Sequence, residues 1–196
     1  MSLAARHERK FTYADYLQWA HEERCELVGG HVYAMTLAPT PRHQRIAGRF
    51  YSRLEVALIG KPCIAFVAPI DVVLSQHDVV QPDVLVVCDQ NKITRENIQG
   101  IPDLVVEVLS PATARKDRRE KKALYESFAL REYVLIDPDG DYVERFWLEP
   151  DGTFGRGEVF APQELLALRA LEGVEIPLWE VFEVKAEETH TNRTLR

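Results

Sequence analysis

A chain of 196 residues, 46% hydrophobic and 28% charged, has the size and composition of an ordinary globular protein with a buried core. Its formal charge of −7 counts against an indiscriminate nucleic-acid coat, because a polyanion rewards overall positive charge, but it leaves room for a local basic surface. No apolar run is long enough to cross a bilayer and the charged N-terminus leads into no signal-type segment, so a cytoplasmic location is expected. Cys25, Cys63 and Cys88 form no C-x-x-C pair and sit in apolar or strand-like contexts, which reads as reduced, packed thiols.

In chain order, Thr12 with Asp15 three residues on resembles a capping box, and Tyr13, Tyr16, Leu17 and Ala20 recur at helical spacing. They predict a short helix from about Tyr13 to Glu22. The stretch C-E-L-V-G-G-H-V-Y-A-M reads as a hairpin turning at Gly29-Gly30, with Glu26 on its first arm. Thr40-Pro41 opens a second helix and Gly60 stops it. On its wheel Ile46, Ala47, Phe50, Leu54, Ala57 and Leu58 share one face with His43 in the middle. Arg42, Arg45, Arg49 and Arg53 form a stripe beside that face.

Strands are expected at Ile64–Ala68, Ile70–Leu74, Val84–Cys88 and Leu104–Leu109, the second pairing with the first or third across the polar turn Ser75–Asp78. Asn91–Gly100 reads as a polar connection. V-L-V-V and L-V-V-E-V-L are almost continuously apolar, as in strands covered on both faces. A basic amphipathic helix over Thr113–Ala129 leads to a central strand at Tyr133–Ile136. Asp137–Asp141 is a turn before a strand at Tyr142–Leu148. An edge strand within Thr153–Phe160, a strand at Gly173–Ile176 and a short helix around Leu178–Phe182 follow, with a polar tail from Lys185. No repeat or linker interrupts the chain, so the expectation is one α/β domain over residues 1–196, its core spanning about 11–183, built on a central mixed β-sheet flanked by helices.

Two carboxylates stand where ionised acids are expensive: Asp83 after Pro82 at the opening of one apolar strand, and Glu107 inside the next. Close together they would repel, so one would hold a proton or a cation would sit between them. Carboxylate oxygens, a strand-end carbonyl and water are the ligands Mg²⁺ prefers. On the following helix Asp117, Lys121, Leu124, Tyr125 and Phe128 share a face, so the apolar residues carry Lys121 inward, whereas Lys116, Arg119 and Lys122 point elsewhere. The plainer alternatives are a rim lysine paired with Asp117, a turn role for Asp83, an ordinary salt bridge at Glu107 and a packed core histidine at His43. Between Arg115 and Lys122 six residues are basic, and with the earlier arginine stripe they offer phosphate contacts at Arg42, Arg45, Arg49, Arg115, Arg118 and Arg119.

The combination P-D, then E-V-L-S-P-A-T, then D-R-R-E-K-K-A-L-Y and E-Y-V-L-I-D-P resembles the Uma-two family of bacterial endonucleases, within the PD-(D/E)XK restriction-endonuclease-like superfamily. The likeness runs from about Phe11 to Phe182 and includes R-C-E-L-V-G-G-H-V-Y-A-M and the P-R-H-Q of the histidine helix. It implies that Asp83 and Glu107 are the metal acids, Glu26 a further acid, Lys121 the motif lysine and His43 a supporting group. The chain departs from the superfamily pattern at Leu109, where lysine is usual, and at Ala129-Leu130, where the family has Gly-Val.

The resulting expectation is a Mg²⁺-dependent deoxyribonuclease, with Mn²⁺ as substitute, DNA as partner and a homodimer as the suitable assembly. A catalytically inactive nuclease-fold binding or assembly module is the alternative, and hydrolysis of a smaller phosphate compound a third. No P-loop or zinc-ligand spacing is present. If Glu107 and Lys121 were unpaired buried charges, replacing either would leave stability near or above the parent's.

Overall fold

The computed structural model describes residues 10–19, 24–35 and 38–186. Helix α1 (Tyr13–Trp19) is closed at its start by the expected box: Thr12 donates its backbone N–H to Asp15, and Asp15 returns the bond to Thr12 Oγ1. The expected extension to Glu22 lies outside the described residues. Strands β1 (Cys25–Val28) and β2 (His31–Ala34) pair across Gly29 and Gly30, whose φ values of 59° and 81° suit the left-handed two-residue turn that a twisted hairpin favours.

Helix α2 (Pro41–Ala57) starts where Thr40 Oγ1 accepts the His43 N–H, with proline in the first turn. It buries Ile46, Ala47, Phe50 and Leu54. The central sheet has six strands: β3 (Ile64–Val67) at one edge, then β6 (Val84–Val87), β8 (Leu104–Val108), β9 (Glu132–Asp137), β10 (Tyr142–Trp147) and β11 (Glu158–Phe160). Only β8 and β9 run parallel within it, and the connection between them is helical. That connection comprises α3 (Ala114–Lys116), a π turn (Asp117–Lys121) and α4 (Lys122–Ser127).

The alternation of side chains divides the sheet into two apolar faces. On one, Val84, Val86, Leu104, Val106 and Val108 pack with α2, with β12 (Leu165–Leu168) and β13 (Val174–Pro177), and with α5 (Leu178–Phe182). On the other, Leu85, Val87, Val105 and Leu135 pack with Leu124 and Tyr125 of α4 and with Val72 and Val80 of a second sheet. This second sheet, order β2-β1-β5-β4-β7, includes β4 (Val72–Ser75), β5 (Asp78–Val80) and β7 (Ile98–Gln99).

Three expectations are corrected. The strand expected at Ile70–Leu74 joins neither strand of the central sheet; β4 pairs with β5 and β7 instead. β5 stops one residue short of Gln81-Pro82 and is too short to announce itself by periodicity, so its hairpin was hidden. Within the polar connection Asn91–Gly100 lies β7, and β12 was missed altogether. Finally, the reduced-thiol reading fails for two cysteines, because Cys63 and Cys88 form a disulfide with Cα atoms 3.9 Å apart. Their separation of 25 residues shows nothing locally, but the β3–β6 register, Ile64 opposite Val87, brings their neighbours face to face. Cys25 is buried and outside the disulfide.

Candidate active site

Glu26 enters the interior by strand alternation. Cys25 and Leu27 pack toward Tyr16 and Val79, so the residue between them points the opposite way and is completely buried. Its Oε1 accepts the Gln81 N–H at 2.9 Å. Glu107 lies on β8, facing the same side of the sheet as Val105, and is 4% exposed. The β6–β8 register sets Val84 opposite Val106, so the next step sets Asp83 beside Glu107 at the strand end. Asp83 Oδ2 accepts the Val108 N–H at 2.8 Å and lies 3.3 Å from His43 Nε2.

Lys121 is the centre of the cluster. Its ammonium donates to Glu107 Oε1 at 2.7 Å, lies 2.7 Å from Glu26 Oε1 and 3.8 Å from Asp117 Oδ1, and the residue is 2% exposed. Tyr125 donates its hydroxyl to the same Glu107 oxygen at 3.1 Å, and Tyr133 bonds the Asp117 carbonyl. The rim-lysine alternative is thereby excluded, whereas the salt-bridge reading of Glu107 describes the geometry as it stands.

One lysine cannot neutralise three acids in a dry pocket. For Lys121, burial works against the charge, but Glu107, Glu26 and Asp117 outweigh it and hold the ammonium well above the ordinary lysine range. Burial likewise acts upward on Glu26, and there Lys121 and Lys116 prevail, so this carboxyl is lowered. Glu107 is the acid left over: burial pushes it well above the carboxylate range against the pull of Lys121, and the charges of Asp117, Asp83 and Glu26 add to the rise. At His43, burial disfavours the imidazolium, but the hydrogen bond and charge of Asp83 overcome it and raise the ring's pKa.

Sequence reasoning missed Lys116. On an α-helical wheel residues five apart stand about 140° from one another, which sends Lys116 away when Lys121 points in. In a π turn the hydrogen bond closes at i+5, so such residues come onto the same side. Lys116 Nζ accordingly bonds Glu26 Oε2, over the ring of Tyr33. Asp117 was seen only as a pairing partner, yet it is 2% exposed and part of the same cluster. The buried Tyr125 had a signal, since it shares the inward face of Lys121 on the helical wheel.

The arginines divide. Arg42 bonds the Pro138 carbonyl and Asp141, Arg45 and Arg49 bond Glu183, and Arg53 bonds Glu180. Arg118 is held by Glu144 and the Tyr142 hydroxyl. Arg115 and Arg119 are exposed and have no ion pair among the described residues. The α2 stripe thus ties α5 and the Asp137–Asp141 turn to the body of the protein.

Among the described residues no three His, Cys, Asp or Glu side chains form a preassembled metal cage. Asp83 and Glu107 nevertheless fit a hard cation that keeps much of its water. Lys121 and Tyr125 engage Glu107 Oε1, while Val108 and His43 engage Asp83 Oδ2. Oε2 and Oδ1 carry none of these contacts, and the excess of buried acid favours positive charge at that place.

A solved structure titled "putative nuclease belonging to DUF820", from Anabaena variabilis, has the same fold, with a TM-score of 0.72 over 88% of this chain and 98% of that one at 18% identity. The two chains therefore share one mixed α/β fold, a central sheet flanked by helices. The chain belongs to the Uma2 family, described as "putative restriction endonuclease", which matches residues 13–179. Two uncharacterized proteins of Synechocystis sp. are similar to it. One, slr1290, is 29% identical over 74% of this chain and 78% of its own; the other, sll1609, is 27% identical over 64% and 74%.

Proposed function

We propose that this protein is a Mg²⁺-dependent deoxyribonuclease, with Mn²⁺ as a working substitute. The observation that supports the reading is the meeting of Lys121 with Glu107 and Glu26 in a buried cluster beside Asp83, in a chain of this family. Asp83 and Glu107 are the residues that would hold the cation. When bound, the cation polarises the scissile phosphate and lowers the pKa of a coordinated water. Lys121 would turn an N–H from Glu107 toward the attacking water and offset negative charge developing on the phosphate. Glu26 keeps the lysine in place, while His43 fixes the Asp83 carboxylate. Arg115 and Arg119 are the cations available for phosphates at the rim.

The test is nicking of supercoiled plasmid with Mg²⁺ or Mn²⁺ and its arrest by EDTA, together with calorimetric titration of Mg²⁺ into wild type and Asp83→Asn. Metal-linked heat that the variant lacks, together with metal-dependent nicking, supports the reading. No heat and no nicking with either metal sinks it.

A second reading, a non-cleaving binding or assembly module, has its own supporting observation. Lys121 is closed in by acids and the α2 arginines are consumed in internal pairs. DNA binding without metal-linked heat selects that reading.

A further inference from the structure

Lys116 and Lys121 grip opposite oxygens of one buried carboxylate. Lys121 lies on Glu26 Oε1, which also accepts from Gln81, and Lys116 takes Oε2. The Lys116 side chain is 16% exposed, so it reaches the acid from the rim while Lys121 reaches it from within. Their convergence depends on the π turn between them, which is an odd conformation to keep unless it places something.

We infer that Lys116 is a second lysine of the site, a positioning residue that occupies Glu26 Oε2 and so leaves the Lys121 ammonium a donor for the reaction. The inference rests on the nuclease reading above. Four carboxylates, Asp83, Glu107, Glu26 and Asp117, converge on this region, while Lys121 supplies one positive charge. Without Lys116, the vacated Glu26 Oε2 turns toward Lys121 and the acid takes the lysine with both oxygens. The pocket is then more negative, which favours cation binding, but its working lysine is immobilised.

The geometry therefore yields opposite effects on metal binding and turnover, which a simple structural loss does not produce. Mn²⁺ affinity by calorimetry and plasmid nicking by Mn²⁺ are measured in full-length wild type, Lys116→Met and Lys116→Arg, with thermal unfolding of each. Lys116→Met is expected to bind Mn²⁺ about threefold or more tighter. Its cleavage rate is expected to fall about tenfold or more. Lys116→Arg, whose guanidinium also reaches a carboxylate, restores most of the rate. Wild-type metal binding and rate in Lys116→Met overturn the inference and leave the nuclease reading intact, as does a parallel loss of affinity, rate and melting temperature that arginine does not rescue. A wild type that neither binds Mn²⁺ nor nicks removes both.

Discussion

Lys121 donates to Glu107 at 2.7 Å across the step from strand β8 to the helix that follows it, fourteen residues apart in the chain and both essentially removed from water. Neither is therefore an unpaired buried charge, and the expectation that either is replaced without loss of stability is corrected for the lysine. Lys121→Met leaves Glu26, Glu107 and Asp117 facing one another, an arrangement that breaking a buried pair makes unfavourable by about 3–5 kcal/mol. Glu107→Gln keeps the Lys121–Glu26 bond and removes the acid that burial already pushes up, so its loss is expected to stay under about 1 kcal/mol. Urea unfolding of the two variants checks the order, and equal losses would contradict it.

Glu26 makes stability depend on acid. Its folded pKa lies below the ordinary value of 4.5, because Lys121 and Lys116 outweigh burial. A lowered carboxyl contributes stability that is present above the unfolded value and lost as the pH falls through the folded one. The melting temperature of wild type is thus expected to exceed that of Glu26→Gln at neutral pH, with the gap closing as the pH falls below the ordinary carboxyl value. A gap independent of pH would show that the carboxylate charge is not what the lysines hold.

DNA affinity is expected to separate the arginines by their partners. Arg115→Ala and Arg119→Ala each weaken binding to duplexes of any sequence and reduce the salt slope by about 1, as for a lost phosphate contact. Arg45→Ala and Arg49→Ala leave binding near wild type and lower the melting temperature slightly, since both arginines hold Glu183 just after α5. Fluorescence anisotropy over a salt series reads the difference, and the reverse pattern would return α2 to the DNA-facing surface.

The Cys63–Cys88 bond closes a loop with a sequence separation of 25. Cross-linking a loop of that length stabilises by about 3.5 kcal/mol in the chain-entropy account. Cys63→Ser is expected to lose that much in denaturant unfolding. The denatured, unreduced wild-type chain should expose one reactive thiol rather than the three in its sequence. Three reactive thiols would mean that the bond does not form in solution.

Much of this was legible where the governing forces are local. The Thr12–Asp15 box, the Thr40-Pro41 start, the Gly29-Gly30 hairpin and the helix at Leu178–Phe182 each depend on residues within a turn of one another, and all are found. The apolar runs around Glu107 announced a strand covered on both faces, and the family motifs brought Glu26, Asp83, Glu107 and Lys121 to notice together. What the chain order concealed were relationships made only when distant segments return. The second sheet exists because β1 finds β5, and the disulfide because β3 finds β6. The α2 arginines looked available until Glu180 and Glu183 arrived beside them. Lys116 is the sharpest case. A wheel drawn at α-helical spacing must turn it away, and only the packed structure, in which the helix takes a π turn, shows it reaching the buried Glu26.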